Sequence, residues 1–131
     1  MNILSFLKPK KQKRLVSVND FNSSLGRHYR FATESLVTLR DTGVEEEDEL
    51  KIDYFFYSDS PEKAQKLEKE IKKMDFIVNS EPAPHDKNLI VISGTTPSIK
   101  MMHESLSKWV TEMSELAFKH DCSFDSWKIV N

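Results

Sequence analysis

From Val18 onward the apolar positions follow two periods, and the switches between them mark out the elements. Val18, Phe21, Leu25, Tyr29, Ala32, Leu36 and Leu39 recur at steps of three and four, which is one stripe of a long helix. Ser17 or Asn19 is suited to cap its start, and Gly43 is placed to end it in the left-handed conformation. After the run EEEDE at 45–49 the period drops to two. Leu50, Ile52, Tyr54 and Phe56 share one face of a strand, and Lys51, Asp53, Phe55 and Tyr57 the other.

The helical period returns after Ser60, a capping residue followed by Pro61 at the first helical position, with Ala64, Leu67, Ile71 and Met74 as the buried stripe. FIVNSEP and LIVIS, separated by a polar turn through HDKN, predict two further strands. The unbroken apolar run Leu89–Ile92 implies cover on both sides of the sheet, from the first helix or from a partner chain. Thr96 and Pro97 predict the start of a last helix whose stripe is Ile99, Met102, Leu106, Trp109, Met113, Leu116 and His120. In the closing SFDSWKIV, strict alternation sets Phe124, Ser126, Lys128 and Val130 against Asp125, Trp127 and Ile129.

After the first helix the order is strand, helix, strand, strand, helix, strand. This is the βαββαβ pattern of the ferredoxin-like split β-α-β sandwich, an α+β class with an antiparallel sheet, here with an extra N-terminal helix. The expected division is a basic, flexible arm over residues 1–16 and one domain over 17–131.

Charge sharpens that division. Lys8, Lys10, Lys11, Lys13 and Arg14 carry five positive charges, and since the chain is at −2, the remainder is at −2 − 5 = −7. A body of that sign is a poor binder of phosphate backbones, so no direct nucleic-acid binding is expected from it. The arm reads as a solvated terminus, with a membrane surface or nucleic acid as its conceivable contact. A single cysteine, Cys122, points to a reducing compartment, hence a cytoplasmic protein. No stretch reaches the length of a membrane span.

The search for catalytic chemistry yields little. Three glycines cannot build a phosphate loop, and Gly94 in SGTTPS is read as an ordinary strand-to-helix turn. His28, His85, His103 and His120 lack metal-ligand spacing, so no metal and no cofactor is expected. Cys122 reads as a space-filling residue, and Asp121 and Asp125 lack evident catalytic partners. Phe55 and Tyr57 raise RNA stacking, but the third strand offers Ile90 and Ile92 instead of aromatics, so they read as buried packing.

The end of the chain, ELAFKHDCSFDSW, together with KIDYFFYS, FIV and LIVIS, resembles the family of the regulator of ribonuclease E activity B. In that family the last helix leads through His-Gly-Gly to Tyr-Asp-Gly-Trp-Gly. His120, Asp125 and Trp127 keep the family's identities, and Phe124 stands for its tyrosine. Asp121, Cys122, Ser126 and Lys128 stand where glycines are usual. Aspartate tolerates a left-handed helix end, whereas cysteine there costs roughly 1–2 kcal/mol.

The resemblance spans residues 17–131 and implies a non-enzymatic ribonuclease E inhibitor whose partner is a ribonuclease E-type endoribonuclease. The acidic segment Glu45, Glu46, Glu47, Asp48 and Glu49 is the candidate partner-binding surface. The signature residues are assigned structural roles: Trp127 packing on the helices, Asp125 bonding to nearby backbone or a helix end, and His120 terminating the long helix as a cation favoured by its dipole. The alternative is a ferredoxin-like interaction or ligand-sensing module with another partner, and the unfilled apolar face leaves a homo-oligomer open.

Overall fold

The computed structural model describes residues 14–131. Its elements are α1 (Val18–Asp41), β1 (Glu49–Ser58), α2 (Pro61–Lys72), β2 (Ile77–Pro82), β3 (Ile90–Thr95), the short β4 (Ile99–Lys100), α3 (His103–Lys119) and β5 (Ser123–Val130). β1 is central, antiparallel to β3 on one side and to β5 on the other, while β2 pairs antiparallel with β3. The long strands therefore lie in the order β5-β1-β3-β2, the arrangement expected of a split β-α-β fold.

Local chemistry explains the boundaries. Ser17 caps α1 in a reciprocal box, its Oγ accepting from the Asp20 N–H at 3.0 Å while the Asp20 carboxylate accepts from the Ser17 N–H at 3.1 Å. The helix closes with Val44 N–H on the Leu39 carbonyl and Gly43 N–H on the Arg40 carbonyl, with Gly43 at φ 93°. Ser60 and Pro61 start α2 as expected.

α3 starts later than expected. Thr96 and Pro97 lie where β3 gives way to β4. Asp53 pairs with Thr95 but Leu50 with Ile99, so the second strand carries one extra residue, and Pro97 lacks an N–H for the ladder. Thr96 fills the gap, donating its N–H to the Ile52 carbonyl and accepting the Ile52 N–H on its hydroxyl.

The core lies on one side of the sheet. Ile52, Tyr54 and Phe56 are fully buried with Ile92, Leu67, Ile71, Leu106, Val110 and Met113. Gly94 lies within β3, beside Tyr54, not before a helix. A Cβ there would stand 1.7 Å from the Ile77 carbonyl oxygen, the group that accepts the Tyr54 hydroxyl at 2.6 Å.

Two expectations are corrected. Helix α1 does not cover the second face of the sheet. It packs on α3 and β5 within the same layer, and Ile90 and Ile92 share the helix-facing side with Phe56 and Ser58. Among the described residues the opposite face carries no helix, and Phe55 and Tyr57 are half-buried there beside Ser93, Val91 and Ser126.

The second correction concerns β5. Phe56 pairs with Phe124 and Phe55 with Ser126, so Asp125 is bulged out. The bulge breaks the alternation and turns Phe124 to the same side as Trp127, where both are buried.

Candidate functional site

The C-terminal signature region meets the start of the domain at the junction of α3, β5, α2 and the segment Arg14–Val16. Its pivot is Asp121. Helix α3 ends with Cys122 N–H on the Ala117 carbonyl at 2.9 Å and Asp121 N–H on the Phe118 carbonyl at 3.1 Å, so the left-handed position falls on Asp121, at φ 52°. Cys122 escapes that conformation and its penalty.

The residue at this turn also does more than a glycine can. The Asp121 carboxylate accepts the N–H groups of Leu15 and Val16, both at 2.9 Å, and pairs with Lys63 of α2 at 2.7 Å and with Arg14 at 3.6 Å. Burial opposes its ionisation, but Lys63 and the two backbone N–H groups outweigh burial and hold it below the ordinary carboxyl value. The partners of Asp121 are therefore two backbone N–H groups and two basic side chains. Arg14 also donates to the Phe118 carbonyl and lies 4.3 Å from that ring. Arg14–Val16, expected with the arm, are tied to the domain; residues 1–13, with Lys8, Lys10, Lys11 and Lys13, lie outside the described residues.

Trp127 packs against the helices, as expected. It is 3% exposed, edge-on to Trp109 at 5.5 Å and to Phe31 at 4.7 Å. Its indole N–H donates to His28 Nδ1 at 3.2 Å, which leaves the proton on Nε2 to donate to the Phe124 carbonyl at 2.8 Å. Burial pushes the His28 imidazole below its ordinary value. Sequence reasoning passed over His28, yet it stands three residues after Leu25 and four before Ala32 on the helical stripe. That placement beside a buried tryptophan, which needs an acceptor, was the available signal.

His120 does terminate α3, as its C-terminal cap residue. The expected cationic role at the helix end is disfavoured: burial, assisted by Lys119, pushes its pKa down, and Nε2 finds no partner among the described residues. Asp125 is also corrected. It sits exposed on the bulge and makes no side-chain hydrogen bond among the described residues, because the bulge turns it away from both backbone and helix ends. Cys122 is fully buried, and burial pushes its thiol up to about 11, consistent with space filling.

The acidic candidate residues are brought together at the opposite approach to the sheet. Glu45, Glu46, Glu47, Asp48 and Glu49 are all exposed, yet the segment is shaped. Glu45 N–H donates to the Asp48 carboxylate at 2.7 Å, Asp48 N–H to the Glu45 carbonyl at 3.1 Å, and Met101 N–H to the Asp48 carbonyl at 2.8 Å. Glu47 pairs with Lys100 at 3.2 Å; Glu46 and Glu49 make no ion pair among the described residues. The result is a fixed negative turn next to Arg40, whose guanidinium donates to the Val44 and Met101 carbonyls.

The described residues hold no group of three His, Cys, Asp or Glu side chains able to bind a metal ion. The sequence profile described as regulator of ribonuclease activity B matches residues 32–129. The chain belongs to that family. The match takes in the acidic turn and the whole C-terminal signature, and begins inside α1, so His28 and the Arg14–Val16 segment precede it. No curated protein matches the chain. Membership in the RraB family implies regulation of ribonuclease E activity, and no described helix is long and apolar enough to cross a membrane.

Proposed function

We propose that the protein is a non-enzymatic, cytoplasmic regulator that binds a ribonuclease E-type endoribonuclease and reduces or redirects its RNA cleavage. Family membership carries this reading, and the acidic turn supplies the contact. Glu45 and Glu46, without ion partners among the described residues, stand on a turn fixed by three hydrogen bonds, and Glu49, likewise without one, begins β1 beside it, so little backbone remains to be ordered on binding. A negative surface of this kind complements Arg-rich segments of a nuclease scaffold. Such complementarity raises association rate and selects partners more than it adds affinity.

The test is the salt dependence of association with the purified nuclease. Replacing Glu45, Glu46, Glu47 and Glu49 by Gln, with Asp48 kept to hold the turn, is expected to slow association and flatten its dependence on ionic strength. An unchanged salt dependence overturns the acidic contact.

A further inference from the structure

The basic run ahead of the domain has no part in the contacts described so far. Lys8, Lys10, Lys11 and Lys13 follow the apolar residues Ile3, Leu4, Phe6 and Leu7, and no acid precedes Asp20. The structure fixes where this run leaves the domain. Arg14 is committed there: its guanidinium pairs with Asp121, donates to the Phe118 carbonyl and lies against the Phe118 ring. The next two N–H groups are held by the Asp121 carboxylate. The four lysines therefore start from the end of α3.

This root and the acidic turn lie at opposite poles. α1 runs between them for 24 residues, about 36 Å at 1.5 Å per residue. α3 gives a second measure, since Met101 just before it donates to Asp48 in the turn and Phe118 lies in its last turn, about 25 Å away. Lys10, Lys11 and Lys13 reach at most about 14 Å of backbone from Arg14, so even with their side chains they fall short of the acidic residues at 45–49. With a screening length of about 8 Å at physiological salt, the two poles act as separate charges. Apart from the five basic residues at 8–14 the chain is at −7, and the turn accounts for five of those charges, leaving −7 + 5 = −2. The acidity of the body therefore does not keep an anionic surface away from the basic pole.

The neighbours of the lysines decide which anion fits. Phosphate backbones reward clustered lysines by counterion release but gain nothing from two leucines and an isoleucine. A bilayer interface rewards both, because lysines are drawn to an anionic leaflet while aliphatic and aromatic side chains enter the headgroup boundary. We propose that residues 3–13 hold the protein on an anionic lipid surface as a peripheral contact, with Ile3, Leu4, Phe6 and Leu7 entering the interface and Lys8, Lys10, Lys11 and Lys13 meeting the lipid phosphates. Because the segment is rooted at the end of α3, that pole faces the membrane. The acidic turn at the far pole stays in solution, open to a protein partner.

The test needs no nuclease. The full-length protein is sedimented with vesicles of phosphatidylcholine, alone or with about 30% phosphatidylglycerol, at low and high salt. Saturable binding to the anionic vesicles is expected, at least about tenfold weaker on the neutral ones and weakened by salt. Replacing the four lysines by Gln weakens it at least about tenfold, and Phe6→Ser with Leu7→Ser at least about fivefold. Both variants keep the melting temperature, since their changes precede the Asp121 anchor. Replacing Glu45, Glu46, Glu47 and Glu49 by Gln changes binding less than about twofold, and a larger effect contradicts the separation of the poles. No binding to the anionic vesicles, equal binding to both kinds, or an unchanged affinity in either arm variant overturns the proposal. So does lysine-dependent binding of oligouridylate by a protein that ignores the vesicles, which makes the segment a nucleic-acid contact.

Discussion

Replacing Trp127 by alanine separates a core role from an interface role. An indole of this size buries about 200–250 Å², and at roughly 25 cal/mol per Å² that is an upper bound of about 5–6 kcal/mol. Large-to-small core substitutions of aromatic residues cost about 3–5 kcal/mol, so about 4 kcal/mol is expected here. Trp127 is 3% exposed between Trp109 and Phe31, with little room for its neighbours to collapse. For a domain of this length the loss corresponds to a fall in melting temperature of roughly 12–20 °C.

Trp127→Phe isolates the hydrogen bond: it keeps a ring but leaves His28 Nδ1 buried without its donor, at about 1–3 kcal/mol. Urea unfolding of the three proteins, followed by circular dichroism, is the assay. The ordering is wild type, then Phe, then Ala. A melting temperature unchanged in Trp127→Ala, with partner binding lost, refutes the packing argument and moves Trp127 to the interface.

Three further outcomes follow from the same contacts. His28 and His120 both have pKa values below the ordinary 6.5 in the folded chain, so the unfolded chain takes up protons first; stability is full above about pH 6.5 and falls as pH drops below it, and His28→Gln is expected to flatten a urea midpoint profile between roughly pH 5 and 8. Asp121, with its pKa lowered, acts in a separate window, its contribution present above the ordinary 3.8 and lost as pH falls through the folded value. Asp121→Ala removes one of the two carboxylates that pair with Lys63, which keeps Asp59, and leaves two backbone N–H groups without their acceptor; it is expected to cost about 2–3 kcal/mol, read as a lower urea midpoint with faster amide exchange at Leu15 and Val16. Gly94→Ala forces a Cβ onto the Ile77 carbonyl and is expected to cost about 3 kcal/mol or more, with loss of β2 protection in hydrogen exchange; a neutral result contradicts the β2–β3 register.

The elements and the α+β class were legible because long stripes at steps of three and four leave no strand alternative, and because Ser17, Gly43 and the Ser60–Pro61 pair are specific boundary signals. The split β-α-β topology came from analogy with a known element order, since periodicity says nothing about which strands are neighbours; the order β5-β1-β3-β2 needed coordinates. What stayed hidden was irregular backbone. A bulge at Asp125 leaves no trace in composition, yet it decides that Phe124 faces the core. Thr96 and Pro97 look like a helix start because a hydroxyl before a proline suits a cap, whereas here the hydroxyl replaces a ladder hydrogen bond to Ile52.

The two regions differed in the same way. The acidic turn was visible as a charge run, and only its fixed shape needed coordinates. The roles of Asp121 and His28 depend on contacts more than ninety residues apart in the chain, between Asp121 and Val16 and between His28 and Phe124, which no local pattern encodes. Continuous apolar residues at 89–92 suggested cover on both sides of the sheet, but the inward side alone is covered by helices among the described residues; Val91 gains its burial from strand neighbours and from Phe55 and Tyr57 on the open face.

The central claim is that this protein acts by holding a ribonuclease E-type enzyme. It is tested most directly by recovering the tagged full-length protein from a lysate of its native cells, with and without nuclease treatment, and identifying what comes with it by mass spectrometry. Recovery of a ribonuclease E-type endoribonuclease that survives nuclease treatment is the predicted result. Its absence from both samples, or its loss once RNA is removed, contradicts direct regulation through protein contact.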